Sequence, residues 1–130
     1  MQEGNMPRIL VIEDETSIRD NLVRFLRLEG YEVVAAPDGV AGLGRIREHL
    51  PDLILCDVMM PGLDGFGVLE AIKADPATAQ LRFVFLTASA EKEKLQQGLE
   101  LGATAYVTKP FVLPELAAFL RTHLGESGSE

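Results

Sequence analysis

Four short apolar runs in this chain end in residues suited to metal or phosphoryl chemistry. Glu13 and Asp14 follow Ile9-Leu10-Val11-Ile12, and Asp57 follows Leu53-Ile54-Leu55-Cys56. Thr87 follows Phe83-Val84-Phe85-Leu86, and Lys109-Pro110 follows Ala105-Tyr106-Val107-Thr108. If the first and third runs are neighbouring strands, three carboxylates converge. Two unit charges about 4 Å apart repel by roughly 4 kcal/mol at an effective dielectric of 20. A raised pKa, a basic neighbour or a divalent cation must offset that repulsion. Lys109 supplies one positive charge, and an oxygen donor set suits a hard cation, Mg²⁺ or Mn²⁺, better than zinc. A carboxylate such as Asp57 can also act as a nucleophile and take a phosphoryl group as an acyl phosphate. That role needs donors for the transferred oxygens, and Thr87 and Lys109 offer a hydroxyl and an ammonium.

These residues meet only if the runs are strands of one parallel sheet, whose C-terminal ends share an edge where ligands bind. The pattern alternates β and α five times, with strands expected at Arg8–Ile12, Glu32–Ala36, Leu53–Cys56, Phe83–Leu86 and Ala105–Thr108. All but the second are near-continuous apolar runs, as strands covered on both faces require. The intervening stretches carry helical stripes: Ile18, Leu22, Phe25 and Leu26; Val40, Leu43 and Ile46; Phe66, Leu69 and Ile72; Leu95 and Leu99; Leu116, Phe119, Leu120 and Leu124. Glu29-Gly30, Asp75-Pro76 and Gly102 punctuate helix ends, and Pro114 opens the last helix. Parallel strands joined by helices imply right-handed crossovers and a doubly wound α/β sheet.

The 130 residues suit one domain. No apolar run approaches the roughly 18 residues of a membrane span, and the N-terminus reads as neither basic nor apolar, so membrane insertion is not expected and a cytoplasmic location is. The net charge of −8, with dispersed basic residues, argues against direct nucleic-acid binding. Cys56 alone cannot form an internal disulfide and reads as a small core residue. His49 and His123 lie near helix C-termini, where the helix dipole favours an imidazolium. Gly98, inside the fourth helix, either loosens that helix or permits close packing.

The segments Glu13-Asp14, Asp57-Val58-Met59-Met60-Pro61-Gly62-Leu63-Asp64-Gly65, Leu86-Thr87-Ala88 and Gly102 through Phe111 resemble the response-regulator receiver domains of two-component signalling. The resemblance covers about residues 7–124, leaving 1–6 as an N-terminal extension and 125–130 as a flexible tail or the start of a linker. It implies a flavodoxin-like five-stranded parallel sheet in the order 2-1-3-4-5 with five helices. It also implies Asp57 as phosphoacceptor, with Asp14, Asp57 and the Met59 carbonyl as direct Mg²⁺ ligands and Glu13 holding a metal-bound water. Many members carry aspartate at the position of Glu13. Thr87 and Lys109 would bind phosphoryl oxygens, Thr87 and Tyr106 would switch conformation, and the Lys109–Pro110 bond would be cis. Met59 and Ser89 flank the site at positions that influence acyl-phosphate lifetime in the family.

By the same resemblance the chain is not an enzyme acting on a separate substrate but a switch that assists its own phosphorylation and dephosphorylation. The donor would be a histidine kinase or a histidine phosphotransfer protein. The face around the fourth helix, fifth strand and fifth helix would control a downstream protein or output domain, and a phosphorylation-dependent dimer through the Tyr106 face is compatible with it. Three other readings fit less well. A phosphatase of the haloacid-dehalogenase type generally wants an acid two residues after its nucleophile, where this chain has Met59. A flavodoxin-like cofactor binder would not place Glu13-Asp14-Glu15 against an FMN phosphate. A receiver-like module that is never phosphorylated would usually have lost one of the acids, the threonine or the lysine.

Overall fold

The computed structural model describes residues 6–88 and 92–124. Ser89, Glu91, the first five residues and the 125–130 tail lie outside the described residues. Within them the strands are β1 (Arg8–Ile12), β2 (Glu32–Ala36), β3 (Leu53–Asp57), β4 (Arg82–Thr87) and β5 (Ala105–Thr108). The helices are α1 (Thr16–Leu28), α2 (Gly39–Glu48), α3 (Gly65–Ala74), α4 (Lys92–Leu101) and α5 (Leu113–Leu124). All pairings are parallel and the sheet order is β2-β1-β3-β4-β5, the flavodoxin-like arrangement expected from the sequence. β3 and β4 each run into the residue expected just beyond them, so Asp57 and Thr87 close their strands.

Strand geometry sends alternate side chains to opposite faces, and both faces are apolar. Leu10, Ile12, Ile54, Cys56, Phe83 and Phe85 pack beneath α2, α3 and α4, against Ile46, Leu69, Ile72 and Leu95. Ile9, Val11, Leu53, Leu55, Val84 and Leu86 pack against Leu22 and Leu26 of α1 and Leu116 and Leu120 of α5. Burying a side chain of this size is worth about 1.5–3 kcal/mol, so the two layers fix the strands and hence the edge they share.

Two expectations need correction. Val40 is 71% exposed and does not belong to the buried stripe of α2. That face consists of Gly39, Gly42 and Ile46, with Ala41 and Leu43 packed against it. A Cβ at Gly42 would lie 2.4 Å from Ile12 Cδ1, so the helix docks on β1 through a glycine that lies outside the Val40, Leu43 and Ile46 stripe. β5 is not covered on both faces. It is an edge strand, like β2 at the other side of the sheet, with Ala105 and Val107 half-buried and Tyr106 and Thr108 exposed. Gly98, for its part, sits against Phe85: an added Cβ would come within 2.4 Å of the ring. Close packing therefore accounts for that glycine.

Candidate functional site: an acid cluster with a shared lysine

The sheet does not stop abruptly at its C-terminal edge. The amide of Glu13 donates to the Ala36 carbonyl (3.1 Å), that of Val58 to Leu86 (2.9 Å) and that of Lys109 to Thr87 (2.7 Å). Each bond extends the ladder by one residue and holds the backbone around the polar side chains as firmly as a strand. The β1–α1 turn is further held by Arg19 of α1, whose guanidinium donates to the Glu13 carbonyl at 2.9 Å. The Lys109–Pro110 peptide is cis.

The loop between β3 and α3 folds back over Asp57. Gly62 adopts φ +74°, a left-handed conformation that glycine takes without steric cost. Asp64 caps α3, accepting from the Gly67 amide at 2.9 Å. The Gly65 amide donates to the Val58 carbonyl (2.9 Å), and a Cβ on Gly65 would meet the Asp57 carbonyl at 2.5 Å. Only a glycine lets α3 start this close to the end of β3.

On this frame Glu13, Asp14 and Asp57 each place a carboxylate oxygen within 4.8 Å of the others. Glu13, Asp57 and Thr87 are buried, with exposures of 1%, 6% and 5%, whereas Asp14 faces solvent. Lys109 joins them: its ammonium donates to Glu13 Oε1 at 2.9 Å and lies 3.4 Å from Asp57 Oδ2. The second Glu13 oxygen accepts the Glu15 amide at 3.1 Å. Both oxygens of this buried carboxylate are thus engaged by the protein itself. Met59 is exposed beside the cluster, and Tyr106, 42% exposed, stands on β5.

The electrostatics follow from that geometry. Burial, reinforced by the charge of Glu13 and less strongly by Asp14, pushes the Asp57 carboxyl up from 3.8 to about 6, against the pull of Lys109. Burial draws the Lys109 ammonium down, but its hydrogen bond to Glu13 and the charges of Asp57 and Glu13 outweigh that and raise its pKa. Cys56 is held as a neutral thiol by burial and then by the neighbouring acids. Its Sγ leans on the Asp57 carbonyl at 3.4 Å and adds no thiolate to the donor set. Three clustered carboxylates, two of which share one ammonium, suit a small, hard divalent cation: its charge would relieve the repulsion that lifts Asp57, and every donor is oxygen.

Beside Asp57 opens a cavity of about 230 Å³, lined by Asp57, Val58, Met59, Thr87, Ala88, Lys109 and, from α4, Lys94 and Leu95. Of the residues singled out in the sequence, Glu13, Asp14, Asp57, Met59, Thr87 and Lys109 thus gather at one edge, whereas Tyr106 stands apart on β5 and Ser89 lies outside the described residues. Arg19, Asp64, Gly65 and Lys94 had not been singled out for the site. An aspartate just before a helical stripe is a legible capping signal for Asp64. The places of Arg19, Gly65 and Lys94 depend on contacts between elements, which no local pattern encodes.

Residues 9–121 match the response regulator receiver domain family. The chain is 40% identical over 119 residues to the DNA-binding dual master transcriptional regulator RpaA of Synechocystis, covering 92% of this chain and 49% of that protein. It is 38% identical over 123 residues to the DNA-binding response regulator MtrA of Mycobacterium tuberculosis, covering 95% and 53%. The chain therefore spans about half the length of these relatives. Among solved structures, the chemotaxis protein CheY4 of Vibrio cholerae superposes with a TM-score of 0.87 at 33% identity, over 92% of this chain and 99% of that one. A putative response regulator from Chloroflexus aurantiacus gives 0.86 at 33% identity, over 92% and 98%. Sequence match and superposition agree across nearly the whole described fold: this chain belongs to the response regulator receiver domain family of two-component signalling.

Proposed function

We propose that Asp57 is a phosphoacceptor and that the chain works as a phosphorylation-dependent switch. The observation that carries this reading is the cluster itself: the carboxylates of Glu13, Asp14 and Asp57 within 4.8 Å, with Lys109 between Glu13 and Asp57. With a pKa of about 6, Asp57 is mostly ionised at neutral pH, the state a nucleophile requires. One of its oxygens bonds to the donor phosphorus as the bond to the leaving group breaks, and the electron pair departs with that group. Lys109, already beside Asp57, receives the new phosphoryl oxygens together with the Thr87 hydroxyl. Asp14, Asp57 and the Met59 carbonyl would hold Mg²⁺, or Mn²⁺ in its place. Glu13, whose carboxylate is engaged by Lys109 and the Glu15 amide, would act on the metal through water. A bound divalent cation supplies charge neutralisation for the transferred oxygens.

Phosphorylation adds roughly 1.5–2 negative charges. Charge-assisted hydrogen bonds contribute about 1.5–3 kcal/mol each, so Thr87 and Lys109 together could approach the roughly 5.5 kcal/mol that inverts a 1:99 equilibrium. Drawing Thr87 toward the phosphoryl group gives Tyr106 room to turn inward and alters the face formed by α4, β5 and α5. A histidine kinase or histidine phosphotransfer protein is the donor in this reading, and a downstream protein or output domain the recipient. The DNA binding named for the longer relatives belongs to those proteins. The chain described here is proposed to act through protein contacts.

Intact mass after incubation with acetyl phosphate, with and without Mg²⁺ and beside Asp57→Ala, tests the reading. The expected result is one added phosphoryl mass that depends on Mg²⁺ and is absent from the variant. Equal uptake by Asp57→Ala would overturn the assignment of the acceptor. No uptake from any donor, without measurable Mg²⁺ binding, would leave a receiver fold used as a constitutive interaction module.

A further inference from the structure

Asp14 is the exposed member of the acid cluster, and its place depends on the turn between β1 and α1. That turn lacks the anchor its neighbours have. Helix α1 opens at Glu15 with no side-chain cap, whereas Asp38 and Asp64 cap α2 and α3 by accepting the Ala41 and Gly67 amides. Such caps satisfy free amides of the first turn and fix the chain that enters it. Here the hold comes from within α1 itself. The half-buried Arg19 donates from its amide to the Glu15 carbonyl at 2.9 Å and from its guanidinium to the Glu13 carbonyl at 2.9 Å. It thus grips the backbone on both sides of Asp14, while the Glu15 amide donates to the Glu13 carboxylate at 3.1 Å. Resting on the metal-binding reading of this cluster, we infer that Arg19 is a positioning residue: by gripping the turn around Asp14 it fits the site to the small octahedral shell of Mg²⁺ and against larger divalent cations such as Ca²⁺.

Geometry and charge pull in opposite directions here. A guanidinium bonded to Glu13 repels any divalent cation, and it repels Mg²⁺ and Ca²⁺ alike because both carry two charges. Their coordination differs. Mg²⁺ takes oxygen ligands at about 2.0–2.1 Å in near-ideal octahedral geometry, whereas Ca²⁺ accepts about six to eight at about 2.3–2.6 Å in flexible arrangements. A turn free to shift by a fraction of an ångström therefore weakens Mg²⁺ binding more than Ca²⁺ binding. Groups that fix the orientation of a metal ligand typically contribute about 10–100-fold in affinity. Arg19 acts through the backbone rather than on a ligand oxygen, which places it at the lower end, about tenfold. Lysine keeps the charge but offers a point donor on a flexible stem in place of a fixed fork, so it recovers only part of the effect.

The test is a ¹H–¹⁵N NMR titration of the full chain with MgCl₂ and, separately, CaCl₂ at constant ionic strength, with no phosphoryl donor. The dispersion of the spectrum reports that each variant is folded. The ratio of the two affinities is the quantity read, because changes in charge or in overall stability act on both cations alike. Arg19→Met and Arg19→Gln should each lower the preference for Mg²⁺ about tenfold, mainly by weakening Mg²⁺. The two truncations differ in polarity, so the comparison survives the misfolding of one. Arg19→Lys should restore part of the preference. An unchanged ratio in Arg19→Met and Arg19→Gln, including equal tightening of both cations once the guanidinium charge is gone, overturns the inference while the metal site stands. A parent chain that binds neither cation, or that binds both equally well after Asp14→Asn, overturns the metal-binding reading and the inference with it.

Discussion

At the residue scale, the pair Glu13 and Lys109 settles the resting site. A buried carboxylate with both oxygens engaged tolerates loss of its cation poorly, because breaking a buried pair leaves a charge uncompensated at a cost of about 3–5 kcal/mol. Lys109→Met should therefore destabilise the chain by about 3 kcal/mol at neutral pH, and adding Glu13→Gln should recover most of that loss in urea unfolding. Asp57 behaves in the opposite sense. Its carboxyl holds a proton up to about pH 6 in the folded chain, against an ordinary value of 3.8. The folded state thus binds more protons between these values, and metal-free stability falls as pH rises from about 4 to 6. Above pH 6 the full cost is present. Asp57→Asn should stabilise the metal-free protein by about 1–3 kcal/mol at pH 7.5 and by almost nothing near pH 3.5. Millimolar Mg²⁺ should raise the melting temperature of the parent more than that of the variant. The chemical types at the site were legible in the sequence, because strand ends followed by acids, a threonine and a lysine form a pattern. That Glu13 rather than Asp57 holds Lys109 more closely was not, since a distance of 2.9 Å against 3.4 Å is set by how far each strand end projects.

At the element scale, the strands were legible almost to the residue because they are short apolar runs bounded by turns. Two features escaped. The periodicity of α2 put Val40 on the buried face, whereas the helix rests on Gly39 and Gly42. A hydrophobic stripe reveals what a helix buries but not where it must come close enough to exclude a side chain. β5 read as fully covered because edge position depends on strand order, not on composition. The helix glycines give a prediction of opposite signs. Gly44 has open space around its Cβ position, so Gly44→Ala should stabilise by about 0.5–1 kcal/mol through helix propensity. Gly98→Ala gains the same propensity but drives a methyl into Phe85, and overpacking of this kind costs about 1–3 kcal/mol. Thermal melts of the two variants should shift in opposite directions.

At the scale of the whole molecule, the two tyrosines offer a built-in comparison. Tyr31 is buried and its phenol is made less acidic, chiefly by burial. Tyr106 is 42% exposed on the edge strand. Nitration by tetranitromethane should mark Tyr106 first, and conversion to the phosphorylated form should slow it severalfold without changing Tyr31. Unchanged nitration of Tyr106 in fully phosphorylated protein would remove the proposed rotation from the mechanism. The joining of Glu13 to Lys109 spans 96 positions of chain, and this has a consequence for synthesis. A nascent chain that ends after β4 already contains every carboxylate of the cluster, but not the lysine that holds two of them together. It carries the repulsion without the compensation, and on the proposed reading it lacks a finished acceptor site. On that reading, the ability to accept a phosphoryl group thus arrives only once β5 and the Lys109 that follows it have been made, which leaves a copy that stops short of β5 silent rather than wrongly active.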